Sequence, residues 1–104
     1  MSAFAEHELR LRERAAELSG RSDRLNAHGR NGVPQDFAEQ ASVRANDEVI
    51  EALSVRTRAE LATVRAAIAR IERGTYGRCL RCAGVIESAR LAALPETELC
   101  TGCA

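Results

Sequence analysis

Apolar positions recur every seven residues along two stretches of this 104-residue chain. In the first stretch Phe4, Leu11, Leu18 and Leu25 keep the interval, with Ala15 four positions after Leu11. In the second, Val43, Ile50, Thr57, Val64 and Ile71 keep it, supplemented by Leu53, Leu61 and Ile68. A sustained seven-residue apolar period with charged flanks marks a narrow seam against a partner helix. Between the two stretches lies Ala27-His28-Gly29-Arg30-Asn31-Gly32-Val33-Pro34-Gln35, with Gly29, Gly32 and Pro34 as breakers. Gly29 suits the left-handed position that closes a helix, and Pro34 blocks continuation. So short a link favours an intramolecular antiparallel hairpin. The pattern predicts a helix over about 3–28, a tip over 29–36 and a second helix over about 37–73 that ends at Gly74. Folding about residue 33 sets Leu25 near Ala41, Leu18 near Glu48 and Val49, Leu11 near Val55, and Phe4 near Leu61. At 1.5 Å per residue the second helix is about 55 Å long, so its last turns have no partner in the first. Ile68 and Ile71 are then expected to bury against the C-terminal segment, where Val85, Ile86, Leu91 and Leu94 are available.

That C-terminal segment carries the chemistry. The four cysteines fall as Cys79-Leu-Arg-Cys82, seventeen residues, then Cys100-Thr-Gly-Cys103. Two residues between paired thiols let both sulfurs reach one metal from a tight turn, and a loop of about 15–20 residues matches the four-cysteine zinc framework. A tetrahedral Zn²⁺ takes four ligands at about 2.3 Å, so four thiolates close its shell and leave no position for water. One structural Zn²⁺ held by Cys79, Cys82, Cys100 and Cys103 is therefore expected. No residue is assigned a catalytic role, and the chain is not expected to be an enzyme. The rival readings are two disulfides or a CxxC redox pair; paired CxxC in a chain with cytosolic features favours zinc. The fold class expected is mainly α: a long antiparallel coiled-coil hairpin, residues 1–74, attached to a small four-cysteine zinc-finger module, residues 75–104. Such a shape buries little surface per residue, so metal should supply much of the module's stability.

Charge and composition narrow the partners. Net charge is zero, from fifteen Arg against fifteen Asp plus Glu, with no Lys. No clear basic stripe stands out, and the aromatics are only Phe4, Phe37 and Tyr76. Both features argue against a nucleic-acid-binding domain, which shows a basic face or a stacking platform. The Glu- and Arg-rich N-terminus has no apolar core of a signal peptide, and no run of 18 apolar residues exists. A cytoplasmic protein with no membrane contact is expected. His7 and His28 lie on polar stretches and are read as solvated surface. Arg78, Arg81 and Arg90 flank the cysteines and can offset the charge of a four-thiolate site, or contact an acidic partner. The remaining Glu and Arg residues of the hairpin are read as its solvated face, with Arg56 and Arg58 as candidate partner contacts.

Two acids mark the expected tip, Asp36 and Glu39, with Ala41 just beyond. Asp36 is a good N-cap, and Glu39 three residues later completes a capping-box pattern. Acids at the end of a narrow hairpin can also be delivered into another macromolecule's cleft. The two roles are compatible, because a capping Asp sits at the tip in either case.

Two separated motifs resemble a known family. Gly77-Arg-Cys-Leu-Arg-Cys82, then Ile86, Arg90-Leu91-x-Ala93-x-Pro95 and Cys100-x-x-Cys103, is similar to the zinc finger of the DksA/TraR family of bacterial transcription regulators. Asp36-x-x-Glu39-x-Ala41 resembles that family's coiled-coil tip motif, Asp-x-x-Asp-x-Ala. The resemblance covers roughly residues 20–103. It implies a regulator that binds RNA polymerase core or holoenzyme directly, as a monomer and without sequence-specific DNA contacts. The zinc module would sit outside the secondary channel, and the tip would perturb mobile elements around the active centre.

The departures are specific. Glu39 replaces the family's second Asp, keeping the charge about one methylene further out. Ala83 stands where the family has Gly after the second cysteine, with Gly84 next, and a shifted knuckle turn is expected from that. The chain stops one residue after Cys103, where long members continue as a helix. Long members also bind the alarmone ppGpp through basic residues. Those positions align with Thr63, Leu94 and Ala104, none of them basic, so little ppGpp synergy is expected. Two other classes stay open: a zinc-ribbon adaptor for nucleic acid or protein, and a transcript-cleavage-type factor whose acidic tip holds a second Mg²⁺.

Overall fold

The computed structural model describes residues 4–28 and 37–104, with side chains described for 4–27 and 46–104. Three helices follow one another: α1, Ala5–His28; α2, Phe37–Arg73; and α3, Ser88–Ala93. No strand occurs among the described residues, only an isolated antiparallel bridge between Arg78 and Val85. No helix among them is long and apolar enough to cross a membrane.

The helix ends follow their sequence. Glu6 and Glu8 occupy the first turn of α1, and Arg70 and Arg73 the last turn of α2. Each sign complements the helix dipole where it stands. Beyond Arg73, Gly74 takes the left-handed conformation (φ 77°). The N–H groups of Thr75 and Tyr76 then turn back to donate to the Arg70 carbonyl, at 2.9 and 3.1 Å. This satisfies a carbonyl left over at the helix end and aims the chain toward the cysteines.

Two compact units divide the chain. One consists of Met1–Ala16 and Ala62–Ala104, the other of Glu17–Leu61. In the first, α1 and α2 run antiparallel, since Arg12 near the start of α1 pairs with Glu72 near the end of α2 at 3.2 Å. Leu11, Val64, Ala67, Ile68, Tyr76, Ile86 and Leu91 are buried in this unit. In the second, Leu18 is fully buried, together with Ser54, Thr57 and Leu61. Its surface carries the ion pairs Glu17–Arg21, Arg56–Glu60 and Glu51–Arg58. Exposed pairs of this kind contribute at most about 1 kcal/mol each.

The structure corrects three expectations from the sequence. The symmetric fold about residue 33 is not the register: Arg12 reaches Glu72, and Phe4 stacks edge-on against Tyr76 with ring centroids 4.8 Å apart. Val55, expected opposite Leu11, is 52% exposed. Ile68 accordingly has its partner in α1, sharing a groove with Arg12 and Ala15. A heptad seam matches itself again after a slip of whole heptads, so the repeat alone leaves register open. The second correction is the seam residue in α2. Ser54 is buried and Leu53 is exposed. The buried positions 54, 57, 61, 64 and 68 alternate steps of three and four, and that step rule overrides side-chain hydrophobicity at 53. The third is His7, which is half-buried beside the Phe4 and Tyr76 rings at 6.2 and 6.3 Å. Of the pair Val85 and Ile86, only Ile86 is buried.

This register has a direct consequence for stability. Leu11→Ala should cost about 2–5 kcal/mol by opening a cavity in a buried site. Val55→Ala should fall within about 0.5 kcal/mol, as for an exposed position. Urea unfolding monitored by circular dichroism compares the two. Equal costs would restore the Leu11–Val55 pairing.

Candidate metal centre

The chain between α2 and the C-terminus is built around two tight turns. In the first, the Cys79 N–H donates to the Gly84 carbonyl at 2.8 Å and the Ala83 N–H to the Cys79 carbonyl at 2.9 Å. In the second, the Cys103 and Ala104 N–H groups both donate to the Cys100 carbonyl at 3.0 Å. Each turn brings its two sulfurs to the same side. Two links hold the turns in place: Arg81 donates from Nη1 to the Cys103 carbonyl at 3.3 Å, and the Leu80 N–H donates to the Glu98 carbonyl at 2.9 Å. Glu87 accepts both the N–H and the hydroxyl of Thr101, at 3.2 and 3.0 Å. Those two bonds, after the one within Glu87 itself, hold its carboxyl below the usual range.

The structure brings all four cysteines together. Their sulfurs lie within 4.8 Å of one another, and Cys82 Sγ is 3.7 Å from Cys100 Sγ. A disulfide would place two sulfurs about 2.05 Å apart. Ligands at about 2.3 Å around a tetrahedral ion stand roughly 3.8 Å apart instead, close to the Cys82–Cys100 separation. The four free thiols are thus spaced as a set that could hold one metal ion, and not as a pair of bridges.

Their acidity points the same way. Backbone N–H groups of Cys100, Cys82 and Arg81 stabilise the Cys79 thiolate and lower its pKa to about 6. Cys103 is pushed up to about 12, by its hydrogen bonds with Cys100 and Cys79, by burial and by the Cys100 charge. At Cys82 the Gly84 N–H favours the thiolate, but the thiols of Cys79 and Cys100 outweigh it and the pKa rises. Cys79 gives up its proton readily, and hydrogen bonds with neighbouring thiols make Cys82 and Cys103 hold theirs in the same small volume. A cation at the centre removes the repulsion among ionised sulfurs and allows all four to ionise. The donor set suits a soft, tetrahedral divalent ion.

The surrounding residues fix this module to the helices of its unit. Arg70 is buried, and its Nη2 donates to the Glu96 and Thr97 carbonyls at 3.3 and 3.4 Å. The Tyr76 hydroxyl donates to the Pro95 carbonyl at 2.7 Å. Burial pushes the Tyr76 phenol up, with Arg70 opposing, so the hydroxyl keeps its proton as donor past the ordinary tyrosine range near pH 10. Arg10 donates to the Ala92 carbonyl at 2.9 Å, and Arg90 Nε to the Leu99 carbonyl at 2.8 Å. Arg78 donates to the Ala83 carbonyl at 3.4 Å. Thus Arg78, Arg81 and Arg90, read from sequence as counter-charges, brace the backbone of the cysteine turns. Arg70 and Tyr76 carry more of the docking than the sequence suggests. Their signal is position: one sits in the last turn of α2, the other three residues before Cys79. Gly77 completes the arrangement, since at φ 87° a Cβ there would stand 3.0 Å from the Phe4 ring.

The tip residues read from the sequence are placed only in part. Asp36 is outside the described residues, and Glu39 and Ala41 belong to α2 with their side chains outside them.

Comparison with known proteins agrees with this geometry. Residues 7–71 match the family model for the DnaK suppressor protein-like (DksA-like) N-terminal domain. The chain belongs to the DksA-like family. An uncharacterized protein of Aquifex aeolicus (strain VF5) is 32% identical over 99 residues, covering 95% of this chain and 67% of its own length. The solution structure of a DnaK suppressor protein from Agrobacterium tumefaciens C58 is 38% identical, with a TM-score of 0.64 over 93% of this chain and 87% of that one. The transcription factor DksA2 from Pseudomonas aeruginosa is 27% identical, with a TM-score of 0.83 over 92% and 75%. The DksA-like architecture, a helical hairpin joined to a four-cysteine module, is thus the fold of this chain.

One family departure has a structural answer. Ala83, which stands in the first cysteine turn, takes the left-handed conformation itself (φ 62°). An L-residue there costs about 1–2 kcal/mol that glycine avoids. Ala83→Gly should therefore stabilise the module by about 1 kcal/mol, seen as a higher denaturation midpoint with metal bound. Cys79→Ser should abolish tight metal binding and local order over 75–104 while much of the helical signal stays. Metal analysis and amide exchange read both effects, and a folded module in Cys79→Ser without metal would refute the assignment.

Proposed function

We propose that this protein is a DksA-type transcription regulator that binds RNA polymerase directly and does no chemistry of its own. The observation that carries the reading is the joint presence of four clustered cysteines and a DksA-like N-terminal domain in one chain of the family. A four-sulfur shell closed on its ion leaves no coordination position for a substrate, so the metal's work is structural. The ion proposed is Zn²⁺, which imposes no redox chemistry and accepts the tetrahedral thiolate set.

In this reading residues 1–74 are the hairpin that enters the polymerase's secondary channel, and residues 75–104 are the module that remains outside it. Asp36, Glu39 and Ala41 form the tip and act near the active centre, altering the formation or lifetime of promoter complexes. The protein works as a cytoplasmic monomer on core or holoenzyme, with no sequence-specific DNA contact and little synergy with ppGpp. Support for the last point comes from the side chains themselves: Thr63 and Leu94 offer no cation to a polyphosphate.

Charge and capping at the tip separate cleanly by substitution. Asn caps a helix about as well as Asp but carries no charge. Asp36→Asn should bind purified core polymerase within about twofold of the unmodified protein, yet lose its effect on transcription from a responsive promoter. Equal loss of binding and effect would make Asp36 a docking residue. Full activity would reduce it to a cap. Failure of the unmodified protein to bind core polymerase would overturn the whole reading.

A further inference from the structure

The two cysteine turns are anchored unequally. The first is built into the body of the module: the Ile86 N–H donates to the Gly77 carbonyl at 2.8 Å, and Arg78 pairs with Val85 in an antiparallel bridge. Cys79 and Ile86 are each 2% exposed there. The second turn, residues 100–104, closes on itself through the Cys100 carbonyl, and none of its residues is fully buried. Apart from bonds that end on a sulfur, two side chains reach it among the described residues. One is Arg81, whose Nη1 stands 3.3 Å from the Cys103 carbonyl. The other is Glu87, whose Oε2 alone accepts both the Thr101 N–H at 3.2 Å and the Thr101 hydroxyl at 3.0 Å.

Glu87 stands on a fixed post. Ile86 before it is buried, and Leu91 in α3 is 3% exposed, with its N–H donating to the Glu87 carbonyl at 3.1 Å. Glu87 is the N-cap residue of α3, yet its side chain makes no capping bond to that helix. An N-cap oxygen ordinarily accepts an N–H of the first helical turn. This one is turned instead to a residue fourteen positions further along the chain. Its own N–H and then the two Thr101 donors hold the carboxyl below the usual range, so it stays ionised and its bonds are charge-assisted. Their leverage comes from place. Thr101 follows Cys100 directly and precedes Cys103 by two residues, so a bond at 101 fixes the turn that carries both sulfurs.

We infer that Glu87 and Thr101 form a clasp that keeps the Cys100–Cys103 turn registered against the Cys79–Cys82 turn, and that this clasp sets how tightly and how long the four sulfurs retain a metal ion. Glu87 is a positioning residue, since none of its hydrogen bonds ends on a sulfur and it acts through Thr101. Removing outer residues that orient ligands in this way changes metal affinity by about 10–100-fold. The inference concerns retention of the ion and stands apart from the polymerase reading.

The test uses the full chain loaded with Zn²⁺. Competition with a chromogenic chelator reads affinity, and the rate at which excess chelator takes the ion reads retention. Glu87→Ala should weaken affinity and speed the transfer, each at least about tenfold. Thr101→Val keeps the N–H and loses the hydroxyl, so it should show part of that effect. The double variant should lose no more than Glu87→Ala alone, because the two side chains act as one unit. Glu87→Gln keeps an oxygen acceptor and should recover most of the loss. At saturating metal the Co²⁺-loaded variants should all give the spectrum of four thiolates. Amide protection across α3 should match that of the unmodified chain, since Glu87 makes no cap there. The clasp is overturned if Glu87→Ala and Thr101→Val hold zinc as tightly and as long as the unmodified chain, or if Glu87→Gln is no better than Glu87→Ala. Losses that simply add in the double variant would also overturn it. An unmodified chain that binds neither Zn²⁺ nor Co²⁺ would bring down the clasp and the metal centre together.

Discussion

Four sulfurs within 4.8 Å of one another form the constraint on which the C-terminal module depends. Two of them compete for protons: backbone N–H groups lower the Cys79 thiol to about 6, and hydrogen bonds with Cys100 and Cys79 push Cys103 up to about 12. A divalent cation held by all four would remove the competition, and in doing so would tie two turns seventeen residues apart in sequence. The module's apolar core is small, since Tyr76, Cys79, Ile86, Leu91 and Pro95 are its buried apolar side chains among residues 75–104. So little apolar burial does not hold a segment of this size without a cross-link or an ion.

From that centre the constraint passes outward through backbone carbonyls. Arg81 and Leu80 tie the turns together, and Arg90, Arg70 and Tyr76 tie the loop after α3 to the end of α2. Arg10 and the Phe4–Tyr76 ring pair extend the same body to the start of α1. An edge-on aromatic pair contributes about 0.5–1.5 kcal/mol beyond its burial, and a typical neutral hydrogen bond a similar amount. The contacts are individually modest. Together they make one unit of the metal module and both helix ends.

Legibility in the sequence divides along physical lines. The cysteine spacing points to one ligand set because turn geometry is local: two intervening residues decide where two sulfurs go. The heptads predict two helices in a hairpin for a similar reason, and Leu11, Leu18, Leu61, Val64 and Ile68 are buried as a seam requires. Register is not readable, because repeats spaced by sevens fit each other at several offsets. The offset is selected at long range, by Phe4 on Tyr76 and Arg12 on Glu72. Hydrophobicity alone favours Leu53 over Ser54, whereas the three-and-four step selects Ser54. Arg70 reads as a surface residue at a helix end, since nothing in the local sequence shows which carbonyls the chain later brings to it. Asp36, Glu39 and Ala41 rest on the family resemblance, and their side chains lie outside the described residues.

The most direct test of this account is amide hydrogen exchange on the intact protein before and after the metal is stripped by a chelator. The account predicts that protection collapses across Thr75–Cys103 and weakens in the last turns of α2, while amides of α1 beyond Glu17 and of α2 before Leu61 keep most of theirs. Unchanged protection across Thr75–Cys103 in metal-free, reduced protein would contradict it, because the module would then be held by something other than the ion between its four sulfurs.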